Sequence, residues 1–183
     1  MHLALKNKFH AQSHLASLSE QLIEAVSDFA SRTAVKLRWQ SSWTAQILVF
    51  AHTYPFRAGP HFSKSVVIPL QRPSADTRHL VQAAVMGVTQ FYSPRFKLSK
   101  AGAMLLDLMP NDVVQAEFGF DFLELLDGSK LMAVMDALNE CFGRDTIHVG
   151  SEPRQRAQNV WRMRQERLTP QYTTNWSGMP VAW

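Results

Sequence analysis

Alternating apolar and polar positions mark four strands in the first 110 residues of the chain. These segments alternate or are rich in β-branched and aromatic side chains, and they cover residues 3–9, 43–53, 62–70 and 95–109. Turn-forming residues separate them: Pro55, Gly59 and Pro60 follow the second segment, and Pro110 ends the fourth. The second and third strands are therefore predicted to form a hairpin.

Two further segments repeat apolar residues every three or four positions, which is the period of a helix. The stripe of the first helix consists of Leu18, Leu22, Val26 and Phe29. Ser17 and Glu20 have the spacing of a capping box, which predicts that this helix starts at Ser17 and ends near Trp39. The second helix is predicted over residues 77–91.

The order of these elements is β-α-β-β-α-β, which is the split βαβ arrangement of ferredoxin-like domains and belongs to the α+β class. In this arrangement the two helices cover one face of the sheet, and the other face is left for solvent or a ligand. The first and last strands are expected to be neighbours. Such a fold serves many functions, so the topology alone names none.

The character of the chain changes after Pro110. Residues 111–128 are acidic and are predicted to form a linker, whereas residues 129–183 are predicted to form a small helical and irregular module. Its helix is marked by Leu131, Met135, Leu138 and Phe142. Gly143 is expected to close the helix, and residues 147–149 are a candidate short strand. Residues 1–110 then form the main domain.

The formal net charge of +4 over 183 residues is unevenly distributed. Residues 1–110 carry +7, residues 111–150 carry −6 and residues 151–183 carry +3. A basic excess in a folded body favours a polyanion such as nucleic acid as partner. No apolar run is long enough to span a membrane and no secretory leader is seen, so we expect a cytoplasmic protein without membrane contact.

Signatures of enzymes and metal sites are absent from the sequence. It contains no phosphate-binding loop, no dinucleotide fingerprint, no zinc-protease motif and no nucleophile elbow. His10 and His14 stand four residues apart without an accompanying carboxylate, so we expect no metal and no cofactor. The single cysteine, Cys141, excludes an internal disulfide and is expected to be a buried or partly buried inert thiol.

The basic residues of the outer strands are the strongest functional signal from the residues themselves. Lys6 and Lys8 share one face of the first strand, and Arg95, Lys97 and Ser99 share one face of the last. Because these strands are expected to be neighbours, their side chains would form a cationic stripe suited to phosphate contacts. A simply solvated sheet face is the alternative. The residues assigned to DNA contact are Lys6, Lys8, Ser63, Ser65, Arg95, Lys97 and Lys100, although strict alternation puts Lys100 on the opposite face.

A second candidate lies in the acidic linker. Gln115 is followed by the aromatic residues Phe118 and Phe120, a pattern by which a short peptide can dock into an apolar pocket. The alternative is that the two phenylalanines pack on the body of the protein.

Several stretches together resemble the C-terminal part of UmuC-type Y-family DNA polymerases. Residues 96–107 are similar to the last strand of the little-finger domain of that family, and residues 131–139 are similar to the helix that follows it. Trp161-Arg162-Met163-Arg164 and residues 168–176 resemble the module that closes UmuC chains. The resemblance spans nearly the whole chain in matching order.

The resemblance implies a DNA-gripping and partner-binding portion of an error-prone translesion polymerase that acts in SOS mutagenesis and DNA repair. The implied partners are damaged or primer–template DNA, the sliding clamp, a UmuD-like subunit and recombinase filaments. Gln115, Phe118 and Phe120 occupy the place of the clamp-binding peptide, weakened by Ala116 and Gly119. The palm carboxylates of the family do not occur, so this chain is not expected to polymerise DNA by itself. A stand-alone interaction protein without DNA grip is the alternative.

Overall fold

The computed structural model describes residues 3–8, 15–56, 59–96, 98–112 and 128–152, with the backbone alone for 3–8 and 15–18. Its elements in chain order are β1 (Leu3–Lys8), α1 (Leu15–Trp39), β2 (Ser42–Thr53), β3 (Ser63–Ser74), α2 (Thr77–Phe91), β4 (Leu98–Pro110) and α3 (Ser129–Phe142). The predicted β-α-β-β-α-β order and the α+β class are confirmed, and one further helix follows.

The four strands form one sheet in the order β1-β4-β2-β3, and each neighbouring pair is antiparallel. The prediction that the first and last strands are neighbours is thus confirmed. Strands β1 and β2 run in the same direction with β4 between them, and β3 and β4 do so with β2 between them. Helices α1 and α2 are the crossovers of these two split βαβ units. Crossovers of the usual right hand place both helices on one face of the sheet.

The hydrophobic core lies between these helices and the sheet. Its fully buried side chains come from α1, α2, β2 and β4, and they include Leu22, Val26, Phe29, Ile47, Val49, Leu80, Val88, Ala101, Ala103 and Leu105. At Gly87 a Cβ atom would lie 3.3 Å from side-chain atoms of Val49 and Ile68. Helix α2 therefore approaches the sheet most closely where it has no side chain.

The bounds of α1 and β3 differ from the sequence prediction. Helix α1 begins at Leu15, so Ser17 lies inside the helix and the predicted capping box at Ser17 is wrong. Strand β3 does not end at residue 70 but continues through Pro73 to Ser74. It is an edge strand, and a proline whose nitrogen faces away from the sheet removes no ladder hydrogen bond.

Asp76 caps the N-terminus of α2. Its Oδ1 accepts a hydrogen bond of 2.8 Å from the backbone N–H of Arg78, and its Oδ2 lies 2.6 Å from Nη2 of the same residue. Burial by itself would raise the pKa of Asp76, but the hydrogen bonds and the charge of Arg78 outweigh it and hold the pKa below its ordinary value. A Cβ atom at Gly128, just before α3, would overlap this carboxylate.

Arg38 joins α3 to the body of the protein. Its guanidinium donates from Nε and Nη2 to the two carboxylate oxygens of Asp136, both at 2.6 Å. Its Nη1 donates to the carbonyl oxygen of Ala75 at 2.8 Å and to Oγ1 of Thr77 at 2.9 Å. One side chain of α1 thereby holds both the start of α2 and the middle of α3.

The buried residue of α3 is not among the apolar residues that marked the helix in the sequence. Met132 is its buried residue, and its Sδ accepts from the backbone N–H of Thr77 at 3.4 Å. Leu131 and Phe142, two of the apolar residues that marked this helix in the sequence, are exposed. The helix is oriented by Asp136 and Met132, which lie one turn apart, and the apolar periodicity alone does not reveal this.

Past α3, the chain returns to α1. Gly143 follows the helix with φ of 101°, as predicted for its closing residue. No strand forms over residues 147–149, so that prediction is wrong. The buried carboxylate of Glu152 accepts a hydrogen bond of 2.6 Å from Oγ of Ser31 on α1. Cys141 is exposed, which corrects the expectation of a buried thiol.

Asp136→Ala is expected to lower the free energy of unfolding by about 1–3 kcal/mol, because it leaves the half-buried guanidinium of Arg38 without its carboxylate. Glu140→Ala removes an exposed carboxylate from the same helix and is expected to change stability by less than about 0.5 kcal/mol. Urea unfolding measures both. Equal effects of the two substitutions would show that the ion pair does not anchor α3.

Asp76→Ala is expected to lower stability at neutral pH by about 0.5–2 kcal/mol through loss of the cap. Because the folded-state pKa of Asp76 is lowered, its carboxylate contribution is complete above the ordinary pKa and disappears as the pH falls through the lowered value. The stability difference between the wild-type protein and the variant should therefore shrink in acid. Urea titrations across that acid range test this, with exposed Asp112→Ala as the control. A difference that stays constant in acid would contradict the assignment.

Candidate nucleic-acid interface

The sheet face opposite the helices is organised in rows across the four strands. His52 of β2 lies opposite Lys100 of β4 and Ser63 of β3, and Lys100 in turn lies opposite Lys8 of β1. Directly paired residues of antiparallel strands lie on the same face of a sheet. We call these four positions, Lys8, Lys100, His52 and Ser63, the basic row.

The rows beside it become progressively less polar. The next one contains Lys6, Gly102, Phe50 and Ser65. The third contains Ala4, Met104, Leu48 and Val67. The helix-free face therefore has a cationic, hydroxyl-bearing end near the β2–β3 loop and an apolar end away from it.

The register brings most of the sequence-predicted residues to this cationic end. Lys6 and Lys8 occupy positions in the same rows as Ser65 and Ser63, respectively, and both serines are exposed. Whether these positions contact DNA stays a prediction. Lys97 lies outside the described residues, as do the linker residues Gln115, Phe118 and Phe120.

Lys100 belongs to the basic row, which corrects the expectation from strict alternation that it lies on the opposite face. Thr53 lies opposite Leu98, whereas the preceding residue, His52, lies opposite Lys100. Two residues of β4 thus advance against one of β2, and Ser99 is the extra residue. The irregularity shifts the phase of β4, so that Leu98 and Ala101 are both buried while Lys100 is exposed.

Arg95 does not lie on the last strand. Strand β4 begins at Leu98, and Arg95 is an exposed residue of the turn that follows Pro94. The ring of Phe96 stacks on Phe62 at a centroid distance of 4.7 Å, and this contact with the core fixes the turn. The prediction that Arg95 shares a strand face with Ser99 is therefore wrong.

Sequence reasoning missed a series of aromatic and imidazole rings. It extends from the helix-free face of the sheet, called the open face below, into the β2–β3 loop. It consists of Phe50, His52, Tyr54 and Phe56, and we call it the ring series. The rings of Phe50 and His52 are stacked with centroids 6.4 Å apart, and those of Tyr54 and Phe56 meet edge to face at 5.6 Å. Tyr54 is 48% and Phe56 85% exposed. A ring at every second residue over seven positions is the signal that would have found it.

Two hydrogen bonds join the two ends of the loop that carries Tyr54 and Phe56. The backbone N–H of Thr53 donates to the carbonyl oxygen of Phe62 at 2.9 Å, and the N–H of Phe62 donates to Oγ1 of Thr53 at 3.1 Å. Phe62 is itself packed against the core. The loop that carries Tyr54 and Phe56 is thereby closed next to the basic row.

Other kinds of site are not evident in the described residues. Within the described ranges, no three or more His, Cys, Asp or Glu side chains are grouped so that they could hold a metal ion. None of the helices in that part of the chain is both long and apolar enough to cross a membrane. A groove of about 880 Å³ lies between α2, α3 and the end of β3, and it contains the structural pair Arg38 and Asp136.

Comparison with known families divides the chain in two. Residues 12–118 match the impB/mucB/samB family C-terminal domain, and residues 129–182 match a domain of unknown function (DUF4113). The first match covers more than half of the chain. The Arg38–Asp136 ion pair connects the two matched regions.

Individual relatives match over most of this chain. It is 32% identical to the protein UmuC of Salmonella typhimurium over 161 residues, which are 87% of this chain and 37% of the relative. It is 30% identical to the protein ImpB and 33% identical to the protein SamB, both of Salmonella typhimurium, with 87% and 89% of this chain covered. The matches span 37% of ImpB and 38% of SamB. These relatives confirm the resemblance to the C-terminal region of UmuC chains.

Substitutions at two adjacent positions test which residues of β4 face the helices. Lys100→Ala is expected to change stability by less than about 0.5 kcal/mol, because the side chain is exposed. Ala101→Lys places a charge in a fully buried site and is expected to lower stability by about 3 kcal/mol or more. Thermal and urea unfolding measure both effects. A larger loss of stability for Lys100→Ala than for Ala101→Lys would show that Lys100 faces the helices, as strict alternation predicts.

Proposed function

Because this chain belongs to the impB/mucB/samB C-terminal family, we propose that it serves as the DNA-gripping and partner-binding portion of a UmuC-type translesion polymerase. In this role the helix-free sheet face holds the backbone of damaged or primer–template DNA without reading its sequence. The chain spans less than two-fifths of the length of the relatives that it matches. The polymerase chemistry is proposed to reside in the regions of those relatives that lie outside the match.

The basic row is the observation that carries this proposal. It combines cations, an imidazole and a hydroxyl on one side of a sheet whose other side is filled by the core. Lysine side chains neutralise phosphate charge and release counterions, and hydroxyls donate to phosphate oxygens. Neither contact depends on base sequence. A polymerase needs such contacts because it must bind every sequence along which it advances.

The proposed division of labour follows the two family matches. Residues 1–110 would form the little-finger-like DNA-binding domain, residues 111–128 the acidic linker and residues 129–183 the C-terminal module. The gap between the matches, residues 119–128, falls inside the acidic linker and supports this division. The Arg38–Asp136 ion pair would keep the module docked on the domain.

Contacts with protein partners are proposed for the remaining segments. Gln115, Phe118 and Phe120 would bind the sliding clamp weakly, because Ala116 stands in the position of an apolar anchor. A UmuD-like subunit and recombinase filaments are the further partners that the family suggests.

A stand-alone interaction protein without DNA grip is the second candidate function. One observation favours it: Leu131, Val134 and Phe142 of α3 are exposed apolar residues on a helix that belongs to the second family match. Amphipathic helices with such faces dock into grooves of partner proteins. The two candidates differ in their expected affinity for DNA, and binding measurements therefore separate them.

The full chain is expected to bind double-stranded DNA with a Kd of about 10⁻⁴–10⁻⁶ M near physiological salt, without sequence preference. The affinity should fall steeply with salt, with a log–log slope of roughly −0.9 per neutralised phosphate. Lys100→Ala should weaken binding to all sequences alike and flatten the slope by about one unit. Fluorescence anisotropy with labelled duplexes over a salt series measures these quantities.

Lys36→Ala is the matched control, because it removes the same charge from an exposed position of α1 on the helix side. It should leave the slope within about half a unit of the wild-type value. If Lys36→Ala weakened binding as much as Lys100→Ala, the interaction would be diffuse electrostatics and the proposed face would be wrong. Absence of measurable duplex binding would favour the interaction protein.

A further inference from the structure

We propose that the open face also binds an unpaired DNA strand, whose bases stack on the ring series formed by Phe50, His52, Tyr54 and Phe56. This inference rests on the proposed DNA-binding function. It adds an unpaired strand to the duplex DNA that the face is proposed to bind. The basic row would hold phosphates, and the neighbouring rings would hold bases.

The position of the rings is the first argument. Phe50 and His52 lie in the two polar rows of the open face, and Tyr54 and Phe56 continue the series past the end of β2. The cross-strand partners of Phe50 are Gly102 and Ser65, which are among the smallest residues available. The ring of Phe50 therefore has a small residue beside it on each neighbouring strand, which leaves room for a flat ligand.

The exposure of the two loop rings is the second argument. Phe56 is 85% exposed and touches Tyr54 edge to face, so its burial contributes little to the stability of the fold. An exposed aromatic ring near basic residues is an arrangement suited to binding single strands. Proteins that hold single strands combine a basic track for the backbone with aromatic side chains on which successive bases stack.

The mixed chemistry of the surface favours a nucleic acid over a protein as occupant. Lys100, Ser63 and Ser65 lie around the rings of Phe50 and His52, whereas the apolar row of Met104, Leu48 and Val67 borders Phe50 on the side away from the loop. A protein partner would use the core of a continuous apolar patch. Four-stranded sheets of α+β domains are known to hold unpaired bases by stacking them on rings of the open face.

The test compares the binding of three ligands to the 183-residue chain: an oligothymidylate of about ten nucleotides, the same backbone without bases, and a blunt duplex. The variant is Tyr54→Leu combined with Phe56→Leu. We expect it to weaken oligothymidylate binding roughly tenfold or more, while binding of the abasic strand and of the duplex changes less than about twofold. Trp39→Leu is the control, because it removes a ring that is 72% exposed and lies at the end of α1.

The outcomes separate this inference from the proposed function. If the ring variant binds oligothymidylate as well as the wild-type chain does, the stacking site is wrong, while duplex binding that depends on Lys100 still stands. If oligothymidylate binds through the rings and the duplex does not bind, the duplex grip fails and the stacking site stands. Equal losses for the abasic and base-bearing strands would overturn the stacking site.

Phe56→Leu alone guards against an effect of the double substitution on folding. The side chain of Phe56 is largely exposed to solvent, so the thermal unfolding midpoint should stay within about 2 °C of the wild-type value. The single variant should still weaken oligothymidylate binding several-fold. Normal stability together with unchanged binding would overturn the role of Phe56.

Discussion

The hand of the two crossovers is the constraint on which the rest of the structure depends. Helix α1 connects two strands that enclose β4, and helix α2 connects two that enclose β2. Because both crossovers turn the same way, both helices pack on one side, and no helix of the described residues covers the other side of the four strands. Small residues make this packing possible, with Ala101 and Ala103 beneath the helices and Gly87 at the closest approach of α2. The open face is thus a consequence of the topology.

Much of this arrangement was predictable from the pattern of residues, because periodicity reports directly on what is buried. The stripe of Leu22, Val26 and Phe29 is buried as expected, and α2 has the predicted bounds of 77–91. Alternation predicted that Lys6 and Lys8 share one face of the first strand and that Ser63 and Ser65 share one face of the third. The register confirms this and places all four on the same side of the sheet.

Local irregularities explain where the predictions were wrong. Strict alternation assigned Lys100 to the helix side, but one extra residue at Ser99 reverses the phase of β4, and no residue type in this stretch announces it. The orientation of α3 was missed for a different reason. A long-range ion pair to Arg38 and a sulfur contact from Met132 orient the helix, and its periodicity does not encode the position of either partner.

The basic residues of the first 110 positions are of two kinds, those paired with carboxylates and those exposed on the surface. Arg38 and Arg78 are bound by carboxylates at 2.6 Å, and Arg32 lies 3.7 Å from the buried carboxylate of Asp28. All three arginines pair with carboxylates, and the side chain of Arg38 is the most buried of them. Asp28 and Asp76 are already counted in the charge of +7 over residues 1–110, so only the pairing of Arg38 with Asp136 lowers that excess. Lys100 instead lies exposed on the open face in a row with His52, and its place in the register, more than the total charge, is what makes this face a candidate for nucleic acid.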